Sequence, residues 1–259
     1  MVERPRPPGA LSDVGTRRAR LAVLAVLGAG VLAAGAGLQA DDQPEATAAT
    51  TVPARPATTT TVALPSFTDP MSMAVLVDRD RGLPPGWVPP DLVAAEVPFT
   101  FAGDDPKRLL RAEAASALEG LFADAAAAGV PLRAVSGYRS EATQADLYDL
   151  AVHHHGRASA DRTNARPGHS EHQTGLAMDV TGADGRCPAE ACFGTTPAAR
   201  WLVHHAPAWG FVVRYPAGKE AVTGYGYEPW HLRYVGARIA AELVQRGITL
   251  DELASSSGP

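Results

Sequence analysis

Four side chains in two short segments have the types and spacing that suit metal-assisted hydrolysis. His172 and Asp179 lie seven residues apart, and Glu228 lies three residues before His231. Two histidine nitrogens and one carboxylate oxygen are a typical ligand set for catalytic zinc, which keeps a fourth position open. A second carboxylate nearby can take the proton of a water that attacks a carbonyl group. Spacing alone is compatible with this site but does not favour it over the alternatives: a structural histidine, a capping aspartate and a surface turn at Glu228.

The backbone around these residues decides whether they can meet. On one helix, His172 and Asp179 would stand about 10 Å apart along the axis, too far for ligand bonds of about 2 Å. The pattern instead predicts a turn after His172 and a strand over residues 176–180, with Asp179 on its polar face. A second strand over residues 230–234 alternates in the same way and brings His231 to its polar face. A loop histidine can then fold back onto a strand carboxylate.

Hydrophobic periodicity predicts a mixed domain. Strands are predicted at residues 73–77, 132–135, 176–180, 211–215 and 230–234, and helices at residues 107–129, 141–152, 197–206 and 235–246. Ser140 is a plausible N-cap of the second helix. The strands and helices do not alternate regularly, which indicates an α+β fold rather than a parallel sheet with crossover helices.

Three motifs in this sequence resemble those of the zinc D-alanyl-D-alanine carboxypeptidases of the VanY type, relatives of the VanX dipeptidases. The matching residues are Ser170, His172, Gly175, Ala177 and Asp179 in the first motif, Glu228, Trp230 and His231 in the second, and residues 136–140 followed by Gln144 in the third. The resemblance covers roughly residues 73–244. It implies the zinc D,D-peptidase (hedgehog-like) fold, with a small, mainly antiparallel sheet flanked by helices.

The resemblance also implies a metal site and a base. His172, Asp179 and His231 would bind Zn²⁺. Glu228 would act as the general base and later as the acid that protonates the leaving amine.

Three further residues would bind substrate by the same resemblance. Arg139 carries a planar, permanently charged guanidinium suited to a carboxylate or to a developing oxyanion, so it is both a catalytic and a substrate-binding candidate. Gln144 and Ser170 would hydrogen-bond the peptide group or the terminal carboxylate of the substrate.

The function implied is removal of the terminal D-alanine from peptidoglycan stem peptides. Cleavage of the D-Ala-D-Ala bond in pentapeptides is the first choice. An L,D-carboxypeptidase acting on tetrapeptide stems is one alternative, and a non-catalytic peptidoglycan-binding module of the same fold is another. The presence of Glu228 argues against the binding module.

Charge excludes one class of partner. The chain has a formal net charge of −5, and no basic stripe stands out from residue 67 onward. Nucleic-acid affinity depends on Lys and Arg side chains that neutralise phosphates, so we expect no nucleic-acid partner.

The N-terminal part predicts export. Residues 1–20 contain five arginines, and residues 21–38 contain no charge. Such a segment is long enough to span a bilayer, and the positive flank should stay in the cytoplasm. We therefore expect a bacterial membrane protein with one N-terminal membrane helix and an extracytoplasmic catalytic domain. Cleavage of the segment as a signal peptide, giving a secreted enzyme, is the alternative.

The remaining boundaries follow from composition. Residues 1–40 hold the cytoplasmic N-terminus and the apolar segment, and residues 41–66 form a linker rich in Thr, Ala and Pro that has little to bury. The carboxypeptidase domain is predicted at residues 67–254, followed by a tail at residues 255–259. Cys187 and Cys192 should form a disulfide in an oxidising compartment. A metal site at these cysteines is the weaker alternative.

Overall fold

The structure is a computed structural model, and it describes residues 65–257. The predicted membrane segment and all but the last two residues of the predicted linker lie outside this range. Within it, none of the helices is both long and apolar enough to cross a bilayer.

Short strands and helices alternate irregularly along the described chain. The strands are β1 (Leu92–Ala94), β2 (Leu109–Arg111), β3 (Leu132–Ser136), β4 (Ala177–Gly182), β5 (Phe211–Tyr215) and β6 (Glu228–Tyr234). The α-helices are α1 (Ala112–Ala127), α2 (Glu141–His155), α3 (Arg157–Thr163), α4 (Pro197–His205), α5 (Glu220–Thr223), α6 (Ala237–Arg246) and α7 (Leu250–Ser256). Short 3-10 helices lie at Pro106–Arg108, Glu171–Thr174, Ala191–Thr195 and Ala206–Trp209.

The main sheet has four strands in the order β3-β4-β6-β5, and each neighbouring pair is antiparallel. Strands β1 and β2 form a separate antiparallel pair. The predicted α+β architecture with a small antiparallel sheet is therefore confirmed. The two central strands, β4 and β6, carry Asp179, Glu228 and His231. These three residues therefore lie on the part of the sheet that has a neighbouring strand on both sides.

The main hydrophobic core joins this sheet to α1 and α4. In α1 the buried residues recur at helical spacing and include Leu118, Leu121 and Phe122. They belong to one cluster with Met178 of β4 and Leu232 of β6. A second cluster packs α6 and α7 against the segment near residue 75. The sheet is thus supported by packed helices that hold its strands in place.

The predicted strand at residues 73–77 is wrong. These residues are extended or turned but pair with no strand in the described part of the chain. Ala74 and Leu76 enter one hydrophobic cluster while Val75 enters the other, which produces the alternation that imitated a strand. The carbonyls of Met73 and Val75 accept hydrogen bonds from the guanidinium of Arg233 instead of a neighbouring strand.

The predicted helix at residues 107–129 is wrong in its first turn. Strand β2 occupies the chain before α1, although its leucines continue the apolar spacing of the helix. The carbonyl of Leu109 accepts from the amide of Tyr138, and the amide of Arg111 donates to the carbonyl of Gly175. A helix at these positions could not form these long-range backbone hydrogen bonds. They connect β2 to the segment around Tyr138 and to the turn that ends at Gly175.

The other predicted elements are found with small shifts at their ends. Strand β5 has the predicted bounds, β6 begins two residues earlier, and α2 continues to His155. The Ser140 hydroxyl accepts from the amide of Thr143 and so caps α2, as predicted. Helix α7 extends two residues into the predicted tail.

Cys187 and Cys192 form the predicted disulfide. The alternative metal site at these cysteines is excluded because the two sulfur atoms are bonded to each other. The bridge joins Cys187 to Cys192, which lies in the 3-10 helix at Ala191–Thr195.

Candidate metal centre

Three elements bring two histidines and an aspartate together. Asp179 of β4 lies directly opposite His231 of β6 in the antiparallel register, where opposing side chains are about 5 Å apart at Cβ. His172 lies on the 3-10 turn that precedes β4. Gly175 ends that turn with φ of 66°. A side chain there would be strained, and its Cβ would lie 2.8 Å from a methyl carbon of Leu92, so glycine lets the chain fold His172 back over β4.

The three side chains converge on one point. Asp179 Oδ2 lies 3.4 Å from His172 Nε2, and Asp179 Oδ1 lies 3.0 Å from His231 Nδ1. One donor atom from each residue can be chosen so that all lie within 4.8 Å of one another, and all three residues are buried. This set of two imidazole nitrogens and a carboxylate oxygen fits a tetrahedral zinc ion with one open position.

The ring nitrogens that face away from this point have partners of their own. His172 Nδ1 lies 2.8 Å from the carbonyl oxygen of Gly137, which can only accept, so Nδ1 carries the proton. His231 Nε2 lies 3.3 Å from a carboxylate oxygen of Glu171. These contacts leave His172 Nε2 and His231 Nδ1 to face the shared point, and such outward bonds fix the orientation of metal-binding histidines.

Glu171 is a buried carboxylate that the sequence analysis missed. Its Oε1 accepts from Arg214 Nε and from Arg233 Nη1, each at 2.7 Å, and its side chain is 0% exposed. Burial alone would raise the pKa of Glu171, but the two guanidinium groups outweigh it and hold the pKa well below its usual range. One signal was present in the sequence: Arg214 interrupts an otherwise apolar strand and Arg233 lies between the apolar Leu232 and Tyr234, where a buried cation requires a buried anion.

The charges at the shared point favour a cation. Burial lowers the pKa of His231, but its hydrogen bonds to Asp179 and Glu171 raise that pKa to about 10. Burial raises the pKa of Asp179, but His172 and His231 lower it below its usual range. Without metal, a proton on His231 therefore balances the two carboxylates, and a metal ion would replace that proton.

Glu228 stands at the edge of this cluster. It begins β6, its Oε2 lies 4.0 Å from His231 Nδ1, and its side chain is 24% exposed. Burial raises the pKa of Glu228 to about 7, with His231 opposing the rise and the charges of Asp179 and Glu171 adding to it. A carboxylate with this pKa and partial access to solvent can both take and return a proton near neutral pH.

Arg139 and Gln144 are hydrogen-bonded to each other near the two histidines and Asp179. Arg139 Nη1 donates to Gln144 Oε1 at 2.9 Å, and Gln144 Nε2 donates to the carbonyl of Ala165 at 2.7 Å. Burial lowers the pKa of Arg139, while the charges of Asp179 and Glu228 oppose the shift. The guanidinium thus lies within electrostatic reach of both carboxylates.

Ser170 lies two residues before His172 in the sequence. It is buried and immediately precedes the turn that carries His172, whose carbonyl accepts from the Arg139 amide at 3.2 Å. The structure therefore brings the three predicted ligands together, with Glu228 and Arg139 close enough to interact electrostatically with Asp179. A separate groove of about 500 Å³ is lined by none of them.

Residues 107–237 match the family model described as VanY, D-alanyl-D-alanine carboxypeptidase. The bifunctional D-Ala-D-Ala dipeptidase and D-Ala-D-Ala carboxypeptidase VanXYC of Enterococcus gallinarum is 35% identical over 187 residues, which covers 70% of this chain and 93% of that protein.

Two solved structures are also similar. One is the LdcB LD-carboxypeptidase, with 42% identity, a TM-score of 0.69, and coverage of 71% of this chain and 86% of that chain. The other is the vancomycin resistance D,D-pentapeptidase VanY in complex with Zn(II), with 30% identity, a TM-score of 0.57, and coverage of 70% and 97%. The fold expected from the sequence is confirmed by these neighbours.

Proposed function

This chain belongs to the VanY family of D-alanyl-D-alanine carboxypeptidases, and on that premise we propose that it releases the terminal D-alanine of peptidoglycan stem peptides. The protein is a metallocarboxypeptidase, and zinc is its metal. The observation that carries the proposal is the convergence of His172, Asp179 and His231 within 4.8 Å, beside a carboxylate whose pKa lies near 7.

In this proposal His172 Nε2, Asp179 and His231 Nδ1 hold the zinc ion. Zinc bound there would lower the pKa of a coordinated water toward about 7 and polarise the scissile carbonyl. The donor set supports this assignment because His172 Nε2 and His231 Nδ1 already face the carboxylate of Asp179. All three side chains are buried, which limits competition from bulk water for their ligand atoms.

Glu228 acts as the proton carrier. Its carboxylate takes the proton of the attacking water and later delivers a proton to the amine of the departing D-alanine. Its Oε2 lies 4.0 Å from His231 Nδ1, and this distance supports a role beside the metal rather than as a fourth ligand. A raised pKa favours the first step, because a carboxylate with a pKa near 7 is a stronger base than an ordinary one and holds the proton until the amine departs.

Arg139, Gln144 and Ser170 bind the substrate. The guanidinium of Arg139 pairs with the terminal carboxylate of the peptide or with the oxyanion that develops during attack. Gln144 holds Arg139 through the 2.9 Å hydrogen bond, and its own amide is fixed on Ala165. This arrangement selects a C-terminal residue, as a carboxypeptidase requires.

Two substrates carry the terminal D-alanine that this site would recognise. The D-Ala-D-Ala bond of pentapeptide stems is our first candidate, supported by the family description and by the D,D-pentapeptidase structure. The L,D bond of tetrapeptide stems is the second, supported by the higher identity and TM-score of the LD-carboxypeptidase structure. The difference lies on the amino side of the scissile bond, away from Arg139.

We also place the enzyme outside the cytoplasm, where peptidoglycan is found. The disulfide between Cys187 and Cys192 supports an oxidising compartment. Residues 21–38 would hold the protein in the membrane, with the catalytic domain on the outer side.

The test is a comparison of stem peptides. The zinc-loaded protein is incubated with muropeptides that end in pentapeptide or tetrapeptide stems and with the free dipeptide, and released D-alanine is measured. Faster release from the pentapeptide supports D,D cleavage, and faster release from the tetrapeptide assigns the L,D activity instead. Absence of release from every stem, with zinc bound, contradicts the proposed function.

A further inference from the structure

Glu171 contacts His231 on the side of the ring that faces away from the proposed metal. Arg214 and Arg233 determine which carboxylate oxygen of Glu171 faces His231. Its two carboxylate oxygens have separate partners. Oε1 accepts from Arg214 and Arg233, each at 2.7 Å, whereas Oε2 faces His231 Nε2 at 3.3 Å. The side chain is fully buried, so water does not compete for either oxygen.

We infer that Glu171 is a positioning residue that fixes the His231 tautomer, with the proton on Nε2 and the lone pair of Nδ1 facing the metal. The inference rests on the metal site of the proposed function. A carboxylate oxygen can only accept a hydrogen bond, so His231 Nε2 must donate to it. Neutral imidazole carries one ring proton, and Nδ1 is then left free to bind zinc.

The two arginines make the role of Glu171 specific. A guanidinium has donors and no acceptor, so the atom that faces Arg214 and Arg233 must be an oxygen. In Glu171→Gln the amide oxygen therefore stays with the arginines, and the amide NH₂ faces His231. Two donors would then oppose each other unless the His231 proton moves to Nδ1, where it blocks the metal. This single substitution, which preserves the shape of the side chain, should reverse the tautomer.

Asp251 supplies a matched control within the same buried network. Its two carboxylate oxygens accept from Arg214 at 2.6 and 3.1 Å, and it is buried as Glu171 is. Among the described residues, the hydrogen bonds of its carboxylate go to Arg214 and not to His231. Asp251→Asn thus removes one buried carboxylate charge from the network without changing the group that faces His231.

The experiment measures zinc affinity of the full chain by competition with a chelator, and thermal unfolding without zinc shows whether each variant is folded. We expect Glu171→Gln to weaken zinc binding by about 10- to 100-fold, the effect typical of losing such an outer partner, and Asp251→Asn to retain wild-type affinity. Wild-type affinity in Glu171→Gln, or an equal loss in Asp251→Asn, overturns the inference.

A spectroscopic arm reports on the proton itself. Long-range ¹H–¹⁵N spectra of the zinc-loaded wild type should show a proton on His231 Nε2, and Glu171→Gln should lose that signal. An unchanged signal overturns the inference. If Glu171→Gln does not fold, Glu171→Asp is measured instead. The shorter side chain keeps a carboxylate charge for the two arginines but moves its oxygen away from His231. Unchanged zinc affinity in Glu171→Asp would contradict the proposed effect of Glu171 on the His231 tautomer.

A last arm separates failure of the inference from failure of the metal site. His172→Ala removes a proposed ligand and leaves the Glu171 network intact. If His172→Ala loses zinc while Glu171→Gln binds zinc with wild-type affinity, only the proposed role of Glu171 is contradicted. Retention of wild-type affinity in His172→Ala overturns the metal site and, with it, the inference.

Discussion

At the scale of single residues, each histidine has one ring nitrogen bound to the protein and one directed to the shared point. His172 donates to the carbonyl of Gly137, and His231 faces Glu171. The sequence motifs could predict which residues meet, since each predicted ligand belongs to a recognisable pattern. They could not predict Glu171, because its partners Arg214 and Arg233 lie 43 and 62 residues away along the chain.

Replacement of Glu228 by glutamine should separate catalysis from metal binding. The amide cannot accept the proton of water, so kcat should fall by about 10²- to 10⁴-fold, the usual worth of a general base. Zinc content should stay at one ion per chain because Glu228 is not one of the three ligands. Steady-state D-alanine release and metal analysis measure the two quantities. Glu242→Gln, on α6 and paired with Arg246, is the control, and similar kcat values in both variants would refute the role of Glu228.

Zinc affinity should rise with pH. In the metal-free protein the pKa of His231 is raised from 6.5 to about 10, so its proton stabilises the fold fully below pH 6.5, and this contribution is lost as pH rises through 10. Zinc must displace that proton. Between pH 6.5 and 9 the apparent affinity should therefore increase by about tenfold per pH unit. Chelator competition at several pH values measures it, and an affinity independent of pH would contradict the assigned charge state.

At the scale of elements, prediction succeeded where local periodicity and final structure agree. Strand β5 and helix α2 are built from patterns that their own residues specify, including the Ser140 cap. Prediction failed at residues 73–77 and at β2. Both segments have the apolar spacing typical of a strand or a helix. Their backbone groups, however, form hydrogen bonds with residues that are distant in the sequence. Such long-range competition is not visible in a local sequence window.

Gly137 illustrates how closely these segments approach the site. Its amide donates to the carbonyl of Lys107, its carbonyl accepts from His172, and an added Cβ would lie 2.6 Å from the Leu109 oxygen. We expect Gly137→Ala to lower the free energy of unfolding by roughly 1–3 kcal/mol through overpacking, and to weaken zinc binding because the His172 partner shifts.

Urea denaturation and chelator competition measure both effects of Gly137→Ala. Gly226→Ala is the control, because an added Cβ there would meet nothing within 4 Å. Equal stability of the two variants would show that the contact between β2 and the site is not tight.

At the scale of the whole molecule, buried charges link the ends of the described chain to the centre. Asp251 of α7 binds Arg214, Arg214 binds Glu171, and Glu171 binds His231. Arg233 binds the same glutamate and reaches the carbonyl of Met73, which is 160 residues away. The sequence indicated the acidic character and the α+β class but not this network, which exists only once the sheet is formed.

A chain shortened to begin at Pro65 tests whether this network suffices. All described contacts of the site come from residues beyond that point, so the shortened protein should fold, bind one zinc ion and keep the kcat/KM of the full chain. Circular dichroism, metal analysis and D-alanine release measure these properties. A shortened protein that unfolds or loses zinc would show that residues 1–64 contribute to the domain.

Anomalous scattering at the zinc absorption edge, measured on crystals of the zinc-loaded protein, would locate the metal directly. We expect one strong peak about 2.0–2.2 Å from His172 Nε2, His231 Nδ1 and a carboxylate oxygen of Asp179. Glu228 should lie beside this peak without being a ligand. A peak at other residues, or no peak between these three side chains, would contradict the central claim.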